Sequence, residues 1–159
     1  MAKPPRLPSV SPNQCYLVTS STYEKRRLFQ SEILSKSFVE GLFEYRDKGK
    51  YSLHAYVVMP DHFHLLITPG EEMTLERCMQ LIKGGFSHRA KFEMGRQFEI
   101  WQRGFTDRRI RDRGEYVAYK KYIHLNPVRA RLVALEDEYL FSSAHPMSVL
   151  DGAPAYLSG

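Results

Sequence analysis

Two strand-like runs separated by only two residues are the feature that most constrains this chain. Residues 51–59 (YSLHAYVVM) and 62–68 (HFHLLIT) are rich in β-branched and aromatic side chains, and only Pro60-Asp61 lies between them. A connection this short favours an antiparallel hairpin, because parallel strands need a long crossover. One face of the first run is expected to carry four alternate apolar side chains, those of Tyr51, Leu53, Ala55 and Val57.

The order of the remaining segments defines the expected fold class. The patterns predict a strand at 14–23, a helix at 31–48, a helix at 74–95, one or two short strands within 98–110, and a helix at 113–125. The resulting β-α-β-β-α-β-α order is the split βαβ pattern. The chain is therefore predicted to be α+β, a ferredoxin-like split βαβ sandwich with an antiparallel sheet and an added C-terminal helix.

Two of the predicted helices contain residues that disfavour helical geometry. Gly84-Gly85 lies inside the second helix, where we expect a kink or a break, because glycine destabilises a helix interior. Asn126-Pro127 is expected to stop the third helix, since proline disfavours the helical conformation of the residue before it.

Length and composition indicate one domain with short extensions. The chain has 159 residues, of which 43% are hydrophobic, enough for a substantial core. We divide it into an extended N-terminal arm with four prolines (1–12), a single domain (13–145) and a C-terminal tail (146–159). The tail is rich in Ala, Gly, Ser and Pro, and we expect it to pack loosely.

The cysteines and the hydropathy pattern bear on the cellular compartment. Cys15 and Cys78 are far apart and lack CxxC spacing, so they fit neither a disulfide framework nor a four-cysteine zinc site. No signal peptide and no run of membrane-spanning length is visible. We therefore expect a protein of a reducing cytosol without a membrane partner.

Positive charge is concentrated in one segment. Residues 103–131 contain nine basic and three acidic side chains, an excess of six, whereas the whole chain has a net charge of +5. Such a cluster favours a polyanionic partner, and it predicts phosphate contacts that strengthen binding without reading sequence. The positions for which we predict DNA contacts are Arg103, Arg108, Arg109, Arg111, Lys120, Lys121 and Arg129.

The second run of the hairpin carries a pair of histidines. Successive strand side chains point to opposite faces, so His62 and His64 share a face while Phe63 points away from it. Two imidazoles on one sheet face are able to bind a divalent metal. The same pair would also suit packing or hydrogen bonding on a partly exposed surface.

The third helix carries a candidate nucleophile. Tyr122 and Asn126 are four residues apart and therefore neighbours on one helical face. A tyrosine hydroxyl is a weak nucleophile at its usual pKa of about 10, but nearby cations such as Lys120 and Lys121, or a metal, favour the phenolate. The Asn126 amide oxygen could complete a metal site begun by the histidines, leaving coordination positions for substrate.

These motifs together resemble a known enzyme family. HFH at 62–64 resembles the histidine–hydrophobic–histidine (HUH) motif of single-strand nucleases, and YIHLNPVRA at 122–130 resembles the signature of REP-associated tyrosine transposases, relatives of small insertion-sequence transposases. The supporting matches are AYVVMP (55–60), WQRGF (101–105), RIR (109–111) and FSS (141–143). The resemblance spans residues 14–145. One departure is Arg131, where the family usually has glycine, which leaves the geometry of the turn after the helix open.

The resemblance implies a specific chemistry. In that family a tyrosine attacks a backbone phosphate of single-stranded DNA and forms a covalent 5′-phosphotyrosine, releasing a 3′-hydroxyl. Carried over, Tyr122 is the nucleophile, and His62, His64 and Asn126 are the ligands of Mg²⁺ or Mn²⁺. The implied partner is single-stranded or hairpin DNA in the bacterial cytosol or nucleoid. Many members act as dimers, so a homodimer is a candidate assembly, and the histidines could serve their own tyrosine or a partner's.

Other interpretations of the same residues remain open. A domesticated, non-catalytic nucleic-acid-binding domain would use the same charge and sheet, and a metal-dependent hydrolase would activate water instead of tyrosine. Tyr116 and Tyr119 are rival tyrosines that we expect to pack or to stack on DNA. His124 faces a different direction from Tyr122, and we expect it to be structural or to contact DNA.

Overall fold

The computed structural model describes residues 13–94, 99–146 and 150–157; the predicted N-terminal arm, 1–12, lies outside them. The helices and strands are β1 (Tyr16–Ser21), α1 (Glu32–Asp47), β2 (Tyr51–Met59), β3 (His62–Pro69), α2 (Leu75–Met94), β4 (Thr106–Arg109) and α3 (Arg113–Arg129). No helix in these ranges is both long and apolar enough to cross a bilayer.

The strands form one antiparallel sheet in the order β2-β3-β1-β4. β3 pairs with both β1 and β2, so it lies between the two strands that α1 connects. This is the split βαβ arrangement. The α+β, ferredoxin-like fold predicted from the order of segments is therefore confirmed, as is the hairpin formed by β2 and β3.

Different helices cover the two faces of the sheet. On one face, α1 and α2 enclose the larger core together with alternate side chains of β3, those of Phe63, Leu65 and Ile67. On the other face, α3 packs through Ile123 against a second core that includes Leu66. Because side chains alternate along a strand, His62 and His64 lie on the α3 side.

A β-bulge in β2 overturns one detail of the predicted pattern. The register with β3 shifts between Leu53 and Ala55, which leaves His54 as the extra residue. As a result, Tyr51 and Leu53 join the core under α1 and α2, whereas Ala55 and Val57 join the core under α3. The expectation that these four apolar side chains share one face was wrong, because the bulge reverses the alternation at His54.

The expected break in the second helix was also wrong. α2 is continuous from Leu75 to Met94. A Cβ at Gly85 would collide with the ring and hydroxyl of Tyr45 on α1, whereas a Cβ at Gly84 would meet open space. Gly85 thus allows α1 and α2 to approach closely. That packing stabilises the helical conformation of α2 at Gly84 and Gly85, although glycine has a low helix propensity.

The third helix continues past the predicted stop. α3 includes Pro127 and ends at Arg129, so the expectation of a stop at Asn126-Pro127 was wrong. The helix closes with two hydrogen bonds, one from Leu132 N–H to the Pro127 carbonyl (2.9 Å) and one from Arg131 N–H to the Val128 carbonyl (3.0 Å). Arg131 has φ = 60°, so this Schellman turn is formed by an arginine in the conformation that glycine usually supplies.

The segment 150–157 is anchored to the domain by buried and hydrogen-bonded residues, contrary to the loose tail expected from its composition. Leu157 is fully buried in the core under α3. Both Asp151 carboxylate oxygens accept hydrogen bonds from the Arg46 guanidinium (2.9 and 3.0 Å), and Asp151 also accepts one from Leu53 N–H (2.8 Å). This segment therefore ties the chain's last described residues to α1 and to β2.

A second segment covers the outer edge of β2. Val58 N–H donates to the Phe141 carbonyl, and Ser143 N–H donates to the Tyr56 carbonyl, each at 2.9 Å. Unpaired N–H and C=O groups on an edge strand are potential pairing sites for another chain. In this protein, the Val58 N–H and the Tyr56 carbonyl on the edge of β2 are hydrogen-bonded within the molecule.

The two cysteines are inert in this fold. Cys15 and Cys78 are buried free thiols. Burial raises the pKa of each thiol to about 12, so the reactive thiolate is scarce at neutral pH.

Candidate active site

The histidine pair lies at the end of β3 nearest the hairpin turn. The rings of His62 and His64 are 4.9 Å apart between centroids and almost perpendicular, at 82°. His64 is buried, with 5% of its surface exposed, whereas the side chain of His62 is 23% exposed. The pair therefore combines one buried and one solvent-accessible imidazole on the same face.

Each histidine has a polar partner at Nδ1. His62 Nδ1 lies 2.6 Å from Asp61 Oδ1, and His64 Nδ1 lies 2.8 Å from Thr19 Oγ1. When Nδ1 donates to such a partner, the lone pair is on Nε2, the arrangement typical of metal-binding histidines. The sequence analysis missed both partners. Asp61 is adjacent to His62 and could have been considered, but Thr19 requires the β1–β3 register.

The environment of His64 keeps its imidazole neutral. Burial lowers the pKa of His64 to about 4, and electrostatic interactions with the neighbouring His62 and Arg129 act in the same direction. Only a neutral imidazole has a lone pair for a metal. At neutral pH His64 is thus in the protonation state that coordination requires.

Tyr122 lies against this pair within a single chain. The Tyr122 and His64 ring centroids are 5.5 Å apart at 73°, and Tyr122 is 39% exposed. The Arg129 guanidinium lies 4.6 Å above the Tyr122 ring, and its Nη2 donates to the Tyr122 carbonyl at 2.7 Å. Arg129, predicted only as a DNA contact, is therefore the cation stacked on the candidate nucleophile, rather than Lys120 or Lys121.

Asn126 is a half-buried residue one helical turn after Tyr122. Across the described ranges, no group of three His, Cys, Asp or Glu side chains could hold a metal ion. The Asn126 amide is therefore the candidate for a further ligand beside the two imidazoles. Such a mixed nitrogen and oxygen donor set fits Mn²⁺ and, with substrate oxygens, Mg²⁺.

The rival residues in α3 have structural roles. Tyr116 is buried and packs edge-on against His54 at 5.7 Å, while Tyr119 lies under the Arg108 guanidinium at 5.3 Å. His124 Nε2 lies 2.7 Å from Ser143 Oγ, the hydroxyl that also binds the backbone of β2. Tyr116 and His124 therefore make structural contacts, which is one of the two roles expected for each of them.

The predicted DNA-contacting arginines are not equivalent. Arg108 and Arg111 form ion pairs with Glu115, at 3.6 and 3.1 Å, and hydrogen bonds from Arg111 lower the pKa of Glu115 to about 2. In the sheet, Arg108 of β4 lies opposite Leu17 of β1, whose side chain is on the α3 face. Arg109 lies opposite Tyr16, and its side chain projects towards the other face. Arg108 and Arg109, adjacent in sequence, are thus directed away from each other.

An open groove runs along the exposed surface of α3 and contains the candidate nucleophile. Its lining residues are Gly114, Glu115, Ala118, Tyr119, Lys121, Tyr122, Leu125 and Arg129. Tyr122 and Arg129 lie at one end of this groove and Glu115, with its two arginine partners, at the other. Lys120 is half-buried beside it, and Arg103 is an exposed residue of the loop that precedes β4.

Comparison with known families identifies the family of this chain. The family model described as "Transposase IS200 like" matches residues 10–126, more than half of the chain and a range that includes His62, His64, Tyr122 and Asn126. The chain belongs to the IS200-like transposase family. The family resemblance stated from the histidine and tyrosine motifs is thereby confirmed.

Individual relatives place the chain near one branch of this family. The REP-associated tyrosine transposase of Escherichia coli (strain K12) is 29% identical over 60% of this chain and 55% of its own length. A Haemophilus influenzae protein with a provisional form of the same name is 30% identical over 57% of each chain. The chain thus spans somewhat more than half the length of these relatives.

A solved structure confirms the fold. A REP-associated tyrosine transposase bound to a REP hairpin matches with a TM-score of 0.70 and 23% identity, covering 100% of this chain and 95% of that one. At this identity the match shows a common architecture.

Proposed function

We propose that this protein is a transposase that cleaves and rejoins single-stranded DNA through a covalent 5′-phosphotyrosine at Tyr122. The observation that carries the proposal is the contact of Tyr122 with His64 of its own chain, at 5.5 Å between ring centroids. The family membership and the likeness to a transposase bound to a REP hairpin support hairpin DNA as the partner, in the bacterial cytosol or nucleoid.

The chemistry is an exchange of one phosphodiester for another. The Tyr122 oxygen attacks the phosphorus, the bond from phosphorus to the 3′ oxygen of the preceding nucleotide breaks, and that oxygen leaves as a 3′-hydroxyl. The phenol loses one proton and the 3′ oxygen gains one, so no net proton is consumed. Because the tyrosine ester preserves the bond energy, a second 3′-hydroxyl is able to reverse the step and join a strand without ATP.

His62, His64 and Asn126 would hold Mg²⁺ or Mn²⁺ at the scissile phosphate. When bound, the metal would polarise the phosphoryl oxygens and offset the charge that develops in the transition state. Asp61 and Thr19 orient the two imidazoles, and the neutral state of His64 leaves its lone pair available. Arg129 restrains the Tyr122 ring and adds positive charge next to the phosphate that the tyrosine attacks.

A covalent-trapping experiment tests this proposal. Protein is incubated with a labelled single-stranded oligonucleotide that folds into a hairpin with single-stranded flanks, with Mg²⁺, with Mn²⁺ or with EDTA. A metal-dependent adduct that survives denaturing gel electrophoresis is expected. Tyr122→Phe should abolish it, while Tyr119→Phe, three residues earlier on the same helix, should retain it as the matched control.

The other outcomes identify the rival functions. DNA binding without cleavage in any metal would support a non-catalytic binding module, and cleavage without an adduct would support a hydrolase that activates water. An undiminished adduct in Tyr122→Phe would refute the assignment of the nucleophile.

Mixing variants tests which tyrosine the histidines serve. We propose that Tyr122 acts with the histidines of its own chain. An equal mixture of Tyr122→Phe and His64→Ala should therefore stay inactive even if the protein forms the homodimer that the resemblance implies. Recovery of adduct formation in the mixture would mean that the active site is shared between two chains.

A further inference from the structure

A short basic loop lies beside the histidine pair and has no part in the chemistry described above. The loop comprises residues 23–27, which follow β1, and it includes a single 3-10 turn, Tyr23–Lys25. Glu24, Lys25, Arg26 and Arg27 are all exposed, and together they carry a net charge of +2. Arg26 lies 5.5 Å from the Tyr23 ring, which gives the loop an aromatic surface next to its cations.

The backbone fixes this loop next to His62. Ser21, the last residue of β1, pairs with His62 across the sheet, so the loop begins two residues past that partner. Thr22 is fully buried; its N–H donates to the Asp61 carbonyl at 2.9 Å, and its hydroxyl lies 2.6 Å from the Arg26 carbonyl and 3.1 Å from that of Asp61. The same residue thus anchors the loop and the turn that carries Asp61, the partner of His62.

Two further contacts hold the loop, one to the hairpin turn and one to the segment that precedes β4. Phe29 is buried, and its N–H donates to the Pro60 carbonyl at 3.0 Å. Tyr23 N–H donates to the Ile100 carbonyl at 2.9 Å. Both ends of the loop are therefore held by buried groups, while its cationic side chains point into solvent.

The loop also contains strained backbone. Glu24 and Lys25 both have φ = 52°, in the left-handed region that non-glycine residues seldom adopt. Each such residue costs of order 1–2 kcal/mol, and such strain is concentrated at functional sites. An unstrained surface loop would expose three cationic side chains to water equally well. Exposure to water alone therefore does not account for this backbone conformation.

We propose that Lys25 and Arg27 bind backbone phosphates of the DNA strand on the His62 side of the active site. The inference rests on the proposed function, because it places the strand across the histidine pair. The groove along α3 then holds the strand on the Tyr122 side, through Lys121 and Arg129. The scissile phosphate lies between two basic surfaces carried by different parts of the fold.

Salt-dependent binding tests this proposal. The double variant Lys25→Gln/Arg27→Gln is compared with Lys36→Gln/Lys91→Gln, which removes the same charge from exposed positions on α1 and α2, across the sheet from the histidines. Binding of a fluorescent single-stranded hairpin oligonucleotide is followed by anisotropy from 0.05 to 1 M salt (roughly the range over which counterion release is resolved). Thermal unfolding of all three proteins verifies that each is folded.

Loss of two phosphate contacts on single-stranded DNA should reduce the salt slope of log Kd by about 1.4. If affinities converge at about 1 M salt, binding at about 0.1 M salt weakens roughly 25-fold, whatever the sequence of the probe. The control pair should match the wild type in both its affinity and its salt slope.

Two results would separate failure of this inference from failure of the proposed function. Equal affinities for the two double variants, with a wild type that binds DNA and forms the Tyr122 adduct, would overturn the role of the loop alone. A wild type that neither binds the hairpin nor forms an adduct would overturn the proposed function and the loop's role with it.

Discussion

Arg131→Gly should stabilise the protein, because Arg131 closes α3 in a conformation that suits glycine. With φ = 60°, its Cβ approaches the backbone closely, which costs of order 1–2 kcal/mol for an L-residue. Glycine removes this strain but adds freedom to the unfolded chain, worth about 0.5–1 kcal/mol in the opposite direction. The expected net gain in the free energy of unfolding is about 0.5–1 kcal/mol.

The two Schellman hydrogen bonds come from the backbone, so glycine retains them. Arg131 N–H bonds the Val128 carbonyl, and Leu132 N–H bonds the Pro127 carbonyl. The Arg131 side chain is exposed, so its removal should cost little. For a chain of this length, the gain corresponds to a rise in Tm of roughly 1–4 °C.

Urea unfolding followed by circular dichroism measures this gain, with Arg131→Ala as the matched control. Alanine also removes the charge and the long side chain but keeps the Cβ, so it should leave the stability within about 0.5 kcal/mol of the wild type. Equal stabilisation by alanine and glycine would mean that the arginine side chain, and not its backbone conformation, is unfavourable. A destabilised glycine variant would refute the strain argument altogether.

Three further predictions concern the helices and the site. Gly84→Ala should raise the free energy of unfolding by about 0.5–1 kcal/mol, because the new methyl group meets open space and alanine favours a helix interior. Gly85→Ala should lower the free energy of unfolding, because its methyl group would push against Tyr45. Urea unfolding of both variants checks these two predictions. In metal-free protein, the low pKa of His64 should reduce stability as the pH falls from about 6.5 to about 4, since the unfolded chain takes up the proton first. That loss should be smaller in His64→Gln, and a stability difference between the two proteins that does not vary over this range would contradict it. Arg129→Gln should slow adduct formation at saturating DNA by roughly two- to fivefold, which corresponds to the loss of about 0.5–1 kcal/mol of stacking on the Tyr122 ring. An unchanged single-turnover rate would show that the stacking does not position the tyrosine.

The order of the helices and strands could be predicted from the sequence, because local residue patterns determine where each of them forms. The period-2 alternation of the β3 segment and the short Pro60-Asp61 connection were both borne out by the hairpin. The errors occurred where distant contacts prevail over local preference. Gly85 remains helical because Tyr45 packs against it, and Pro127 remains helical because it is buried on the side of α3 that faces the protein. Contacts of this kind cannot be predicted from the residues that are neighbours in sequence.

The site could be predicted only in part, for a related reason. His62, His64, Tyr122 and Asn126 belong to compact motifs, but the motifs left open whether Tyr122 lies against the histidines of its own chain, and the fold brings Tyr122 onto His64 of the same chain. The partners that orient the histidines depend on strand register, which pairs Thr19 with His64. The proximity of the basic loop to His62 has the same origin.

The bonds that cover β2 also determine when the sheet can be completed. The contact between Tyr56 and Ser143 joins residues 87 apart, and that between Leu53 and Asp151 joins residues 98 apart. During synthesis the hairpin can form early, but its outer edge stays unpaired until the residues from 141 to 151 have left the ribosome. An open edge strand is a template for aggregation. A nascent or truncated chain that ends before residue 141 would therefore expose this edge, and the contacts of Phe141, Ser143 and Asp151 protect the sheet against misassembly.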